Sequence, residues 1–107
     1  MRAAQLDTIL REFRVGLERI YGAHLVQLVL FGSQARNEAD ADSDIDVMVV
    51  VRGPVIPSEE IRRLSAFKSE LCLKYDILLS CVYVSDERFR QDETPLLLNV
   101  RREGVPV

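Results

Sequence analysis

Histidine occurs once in this sequence, cysteine twice and tryptophan not at all. The two cysteines, Cys72 and Cys81, are too few for a disulfide framework and lack the spacing of a metal site, so they read as reduced core residues. The lone His24 sits in a connection between a helix and a strand, where a solvated or capping role is expected and nothing nearby in sequence supports base catalysis. No apolar run exceeds the length of a strand, which excludes a membrane-spanning helix. The N-terminus is polar and amphipathic, unlike a secretory leader, so a cytoplasmic protein is expected. Basic residues do not predominate either. Fourteen Lys and Arg against 17 Asp and Glu give a net charge of −3 and a pI near 5.1, which argues against direct nucleic-acid binding. A nucleotide ligand stays open, because a metal ion can bridge an acidic protein to phosphate. Repeats and low-complexity segments are absent. What remains, 107 residues of which 48% are hydrophobic, suits one core and a single domain spanning residues 1–107.

The chemistry concentrates in one stretch. Val26-Gln-Leu-Val-Leu-Phe-Gly-Ser-Gln-Ala-Arg36 is an apolar strand ending in Gly32-Ser33. After a polar segment, Asp44-Ile-Asp-Val-Met-Val-Val-Val51 opens a second apolar strand with two aspartates one residue apart. Alternation along a strand puts Asp44 and Asp46 on one face, with Ile45 and Val47 on the other. Two carboxylates side by side repel unless a cation lies between them. Hard ions such as Mg²⁺ favour an all-oxygen setting and keep positions open for phosphate oxygens. Gly32 lets the backbone approach a ligand closely, and a short helix over residues 33–37 would aim its N-terminal amides at a phosphate. Asp40 and Asp42 also alternate, but they precede the apolar strand and read as solvated loop residues.

Around this stretch the pattern is α-β-α-β-α-β-α, an α/β (α+β) fold with a small mixed sheet and helices packed on it. Residues 2–21 carry Leu6, Ile9, Leu10, Phe13, Leu17 and Ile20 at helical spacing. Strands follow over Leu25–Phe31 and Asp44–Val51, the first apolar enough to be covered on both faces. Ser58 is expected to cap a second long helix, with Ile61, Leu64, Phe67, Leu71, Cys72 and Tyr75 inward. Asp76–Val84 reads as the third strand and Ser85-Asp86-Glu87 as a polar turn, with Phe89 tucked back into the core. Thr94-Pro95 opens a short helix with Leu96, Leu97 and Val100 inward, ending at Gly104. Val105-Pro-Val is a tail or a minimal edge strand.

Phe-Gly-Ser-x-Ala-Arg, then Ser-Asp-Ile-Asp-Val with ten residues between Ser33 and Asp44, resembles the polymerase-β-type nucleotidyltransferase superfamily. The small size resembles its minimal nucleotidyltransferases, and the closing Pro-Leu-Leu-Leu-Asn-Val-Arg-Arg-Glu-Gly-Val is similar to that family's C-terminal helix. The resemblance implies that Asp44 and Asp46 are catalytic ligands of two Mg²⁺ ions. It implies that Gly32 and Ser33 hold the triphosphate of a nucleotide, with Arg36 near phosphate. It also implies a third carboxylate, catalytic and metal-binding, on the strand beside the Asp-x-Asp strand. Asp76 is the candidate if it opens the third strand beside Asp44 or Asp46; the competing reading makes it a helix-end or strand-start surface residue. Where the family often has Gly after the Arg, this chain has Asn37, which tolerates a left-handed backbone.

The activity so implied is Mg²⁺-dependent transfer of AMP from ATP to a hydroxyl. By resemblance the acceptor is a tyrosine of an adjacently encoded HEPN-domain toxin, which makes this chain the antitoxin of a toxin–antitoxin pair. Two other readings carry weight: a non-catalytic antitoxin that acts by complex formation, and nucleotidylation of a small molecule. Paired aspartates count against the first. The second usually brings a further helical domain for its acceptor.

Overall fold

In the computed structural model, which describes residues 3–35 and 44–107, helix α1 (Ala3–Tyr21) runs through a 3₁₀ turn at Gly22–His24 into strand β1 (Leu25–Phe31). A single turn, α2 (Gly32–Ala35), follows. Strand β2 (Ile45–Val51), helix α3 (Pro57–Tyr75), strand β3 (Leu79–Ser85), helices α4 (Asp86–Gln91) and α5 (Pro95–Glu103) and strand β4 (Val105–Pro106) complete the order. The sheet is ordered β3-β2-β1-β4. β1 lies antiparallel to β2, from Phe31 opposite Asp46 to Leu25 opposite Val51. β3 runs parallel to β2, from Leu79 beside Ile45 to Ser85 beside Val51. The C-terminal tail does form an edge strand: Leu30 pairs with Val105, and the Val107 amide donates to the Leu28 carbonyl at 3.0 Å.

Each face of the sheet has its own core. On one, Leu28, Leu30, Ile45, Val47, Val49, Leu79 and Tyr83 pack against Ile9, Phe13 and Leu17 of α1 and Leu64 and Leu71 of α3. On the other, Val29, Met48, Val50 and Val84 meet Leu97 and Val100 of α5, with Phe89 of α4 packed against them. Alternation along β2 produces this division. Its apolar run is long because the strand is covered on both sides, and Ile45, Val47, Met48, Val49 and Val50 have no exposed surface.

Several expectations shift by a residue or a turn. The buried stripe of α1 ends on Tyr21, one helical step from Leu17 and two from Phe13, and leaves Ile20 exposed. α3 starts at Pro57 with Ile56 as its N-cap, so Ser58 does not cap it. Glu60, not Ile61, faces inward there. The Tyr21 hydroxyl donates to Glu60 Oε2 at 3.1 Å, and Arg63 Nη1 stands 3.5 Å from Oε1. Burial, then the adjacent Glu60 charge, raises the Tyr21 phenol above its ordinary value. The polar turn after β3 is helix α4, whose first turn is held by Ser85 Oγ accepting from the Arg88 amide at 3.1 Å. On α5, Leu96 stays exposed while Leu97 and Val100 are buried. Cys72 and Cys81 are free thiols, and burial pushes the Cys81 thiol up to about 11. Among the described residues, no helix is long and apolar enough to cross a membrane.

Gly16 lies on the side of α1 that meets α3. A methyl group there would overlap the Phe67 ring, which lies 5.9 Å from the Phe13 ring and within 6° of parallel to it. Alanine gains about 1 kcal/mol over glycine in a helix interior, but overpacking costs about 1–3 kcal/mol. Gly16→Ala is therefore expected to lower stability, read as a lower urea midpoint at unchanged m-value; a raised midpoint would show that Phe67 moves aside freely.

Candidate active site

The end of β1 and the start of β2 meet at one corner of the sheet. Because Phe31 lies opposite Asp46, the chain leaving β1 at Gly32 passes directly beside the Asp46 carboxylate. Gly32 has φ +73 there, and a methyl group on it would overlap Asp46 Oδ2 and stand 3.2 Å from the carboxyl carbon. Both the backbone angle and the space require glycine. Ser33 and Gln34 follow on α2, all half-buried like Gly32 itself. Asp46 is half-buried on β2, and Asp44 lies exposed just before the strand begins. Alternation assigns Asp46 to the face of Met48 and Val50, the α4–α5 side. On that side a cleft of about 130 Å³ adjoins the glycine, lined by Phe31, Gly32, Leu96, Asn99, Val100 and Glu103. A cavity of about 590 Å³ lies between α1 and α3 against Glu12, Gly16, Phe67 and Lys74; neither aspartate lines it.

The expected constellation assembles in part. Gly32, Ser33, Asp44 and Asp46 gather at the sheet corner. Arg36, and with it Asn37, Asp40 and Asp42, lies outside the described residues. Asp76 does not open β3. It is the exposed C-cap of α3 in the left-handed conformation, at φ 52, and the Ile77 amide donates to the Cys72 carbonyl at 3.0 Å to close the helix end. Aspartate tolerates this backbone better than most residues, so the sequence cue that resembled a strand start belongs to a helix stop. β3 begins three residues later, and the residue beside Asp46 is Ser80. Among the described residues no three His, Cys, Asp or Glu side chains converge to hold a metal ion. The pair Asp44 and Asp46 nonetheless suits a Mg²⁺ ion, which takes one or two protein carboxylates and fills its other positions with water and phosphate. The backbone cradle that a Cβ at Gly32 would fill lies against one of those carboxylates.

Comparison with known proteins identifies the family of the chain. A family model described as "Nucleotidyltransferase domain" matches residues 10–97. A protein of Methanocaldococcus jannaschii named "Putative protein adenylyltransferase" is 37% identical over 104 residues, spanning 96% of this chain and 99% of its own. A second protein of that organism bearing the same name is 30% identical over 94% of this chain and 60% of its own length. Among solved structures, one described as a "putative minimal nucleotidyltransferase" superposes with a TM-score of 0.66 at 26% identity over 100% of this chain and 97% of that chain. A toxin–antitoxin crystal structure with AMP-PNP shares the fold with a TM-score of 0.63 at 21% identity, over 90% of this chain and 69% of that one. With a family model spanning most of its length and a relative matched end to end, this chain belongs to the nucleotidyltransferase domain family.

Proposed function

We propose that the chain is a cytoplasmic antitoxin that transfers AMP from ATP to a tyrosine hydroxyl of a HEPN-domain toxin, in a Mg²⁺-dependent reaction. The observation that carries the nucleotidyl-transfer reading is the contact of Gly32 with Asp46, which joins a backbone cradle to a carboxylate at one strand end. The choice of an adenylyl group and a protein acceptor is supported by the name of the Methanocaldococcus jannaschii relative. A toxin partner and ATP are supported by the fold shared with a toxin–antitoxin structure containing AMP-PNP.

In this reading the acceptor oxygen forms a bond to the α-phosphorus of ATP, the bond from that phosphorus to the bridging oxygen breaks, pyrophosphate leaves and the acceptor loses its proton. Asp44 and Asp46 would hold the cation. When bound, the cation neutralises charge on the triphosphate and acidifies the attacking hydroxyl. Gly32 allows the backbone to approach the triphosphate and Ser33 offers a hydroxyl to it, while the family resemblance alone assigns Arg36 to phosphate. Positioning and charge neutralisation therefore make up most of what these residues contribute.

Two outcomes follow. With labelled ATP, Mg²⁺ and the protein encoded by the neighbouring gene, label should pass to that protein, and the paired change of Asp44 and Asp46 to Asn should reduce transfer by about a hundredfold or more. Unchanged transfer by that variant would remove the aspartates from the site. Gly32→Ala should lose transfer too, and its strained backbone should cost about 1–3 kcal/mol of stability, measurable by urea denaturation. An Ala variant as stable and as active as the parent would show that the cradle is not used.

A further inference from the structure

Strand register gives Asp46 two neighbours in the sheet, Phe31 on β1 and Ser80 on β3. Residues paired across adjacent strands project to the same face, so the Ser80 hydroxyl stands on the Asp46 side of the sheet, with Val82 and Val84 continuing that face towards the α4–α5 core. Neighbouring strands lie about 4.8 Å apart, which brings the hydroxyl within reach of an ion on Asp46, directly or through one water. Ser80 is half-buried at the sheet corner, whereas Asp76 is exposed and ends α3. The geometry points to Ser80 as the third side-chain oxygen of the cation site, a neutral donor where a carboxylate would complete a stronger one.

This rests on the nucleotidyl-transfer reading and adds a consequence. Affinity for a hard cation rises with the number of charged ligands. With two carboxylates and a hydroxyl, the free protein holds a divalent ion weakly. Tight binding then waits for the nucleotide, whose phosphates supply the missing negative charge. As a neutral donor, Ser80 tunes the site towards the metal–nucleotide complex rather than the bare ion.

The test is titration of the nucleotide-free protein with Mn²⁺, followed by the electron paramagnetic resonance signal of the free ion. Ser80→Asp should tighten Mn²⁺ binding about tenfold or more, Ser80→Ala should weaken it severalfold, and Asp76→Asn should leave it unchanged. If Asp76→Asn weakens binding as much as Asp46→Asn does, or if neither Ser80 variant differs from the parent, the assignment to Ser80 is wrong. Circular dichroism without metal checks that each variant folds. Should Ser80→Asp not fold, Ser80→Ala and Asp76→Asn decide the question. Saturable binding lost only in Asp44→Asn and Asp46→Asn would keep the cation reading while removing Ser80. Binding unaffected by either aspartate variant would overturn both.

Discussion

Everything in this fold depends on keeping β2 dry on both faces. The strand is central, hydrogen-bonded to β1 on one side and β3 on the other, and its backbone polar groups are thereby satisfied where water cannot reach. Its side chains from Val47 to Val51 are all buried, and each face needs its own helical cover. α1 and α3 supply one; α4 and α5 supply the other. Asp46 is the only polar side chain on the strand, and it lies one residue inside the strand's start, where the helical cover gives way to the sheet corner. A carboxylate deeper in β2 would face the full desolvation penalty. At the corner it keeps access to water and to a ligand.

The elements that follow from local pattern were legible in the sequence. β1 and β2 announce themselves as apolar runs, α1 as a periodic stripe, and α5 by Pro95 and Gly104 at its two ends. What escaped was set by contacts between elements. Ile61 has the chemistry of a core residue, yet Glu60 is the buried one, because the Tyr21 hydroxyl and Arg63 meet its carboxylate there. α4 is six residues long and too short to show a period; only Ser85 followed three residues later by a satisfied amide reveals it.

The site divides in the same way. The turn at Gly32-Ser33 and the strand position of Asp46 were readable because they are properties of a few consecutive residues, whereas Asp44, expected to open the strand, lies just before it. The residue facing Asp46 from the next strand is a matter of register, and register between parallel strands separated by a 19-residue helix leaves no trace in local sequence. A left-handed Asp at a helix end and an Asp at a strand start look alike in one dimension. The two residues between Asp76 and β3, Ile77 and Leu78, separate those two meanings. Membership of the family accordingly goes with the architecture and the reaction class, while the neighbour of Asp46 on the next strand is read only from the register.

Gly32 also bears on the entropy of binding. An aspartate at a strand end ordinarily samples several rotamers, and ordering it on a ligand costs free energy. Here the backbone of Gly32 packs against Oδ2, so that the carboxylate's freedom is restricted by the fold itself. That loss is charged to folding, where the buried strand outweighs it, rather than to the encounter with ligand. The Asp46 carboxylate is thus preorganised by its neighbour in the chain fold, at the strand end where Gly32 turns past it.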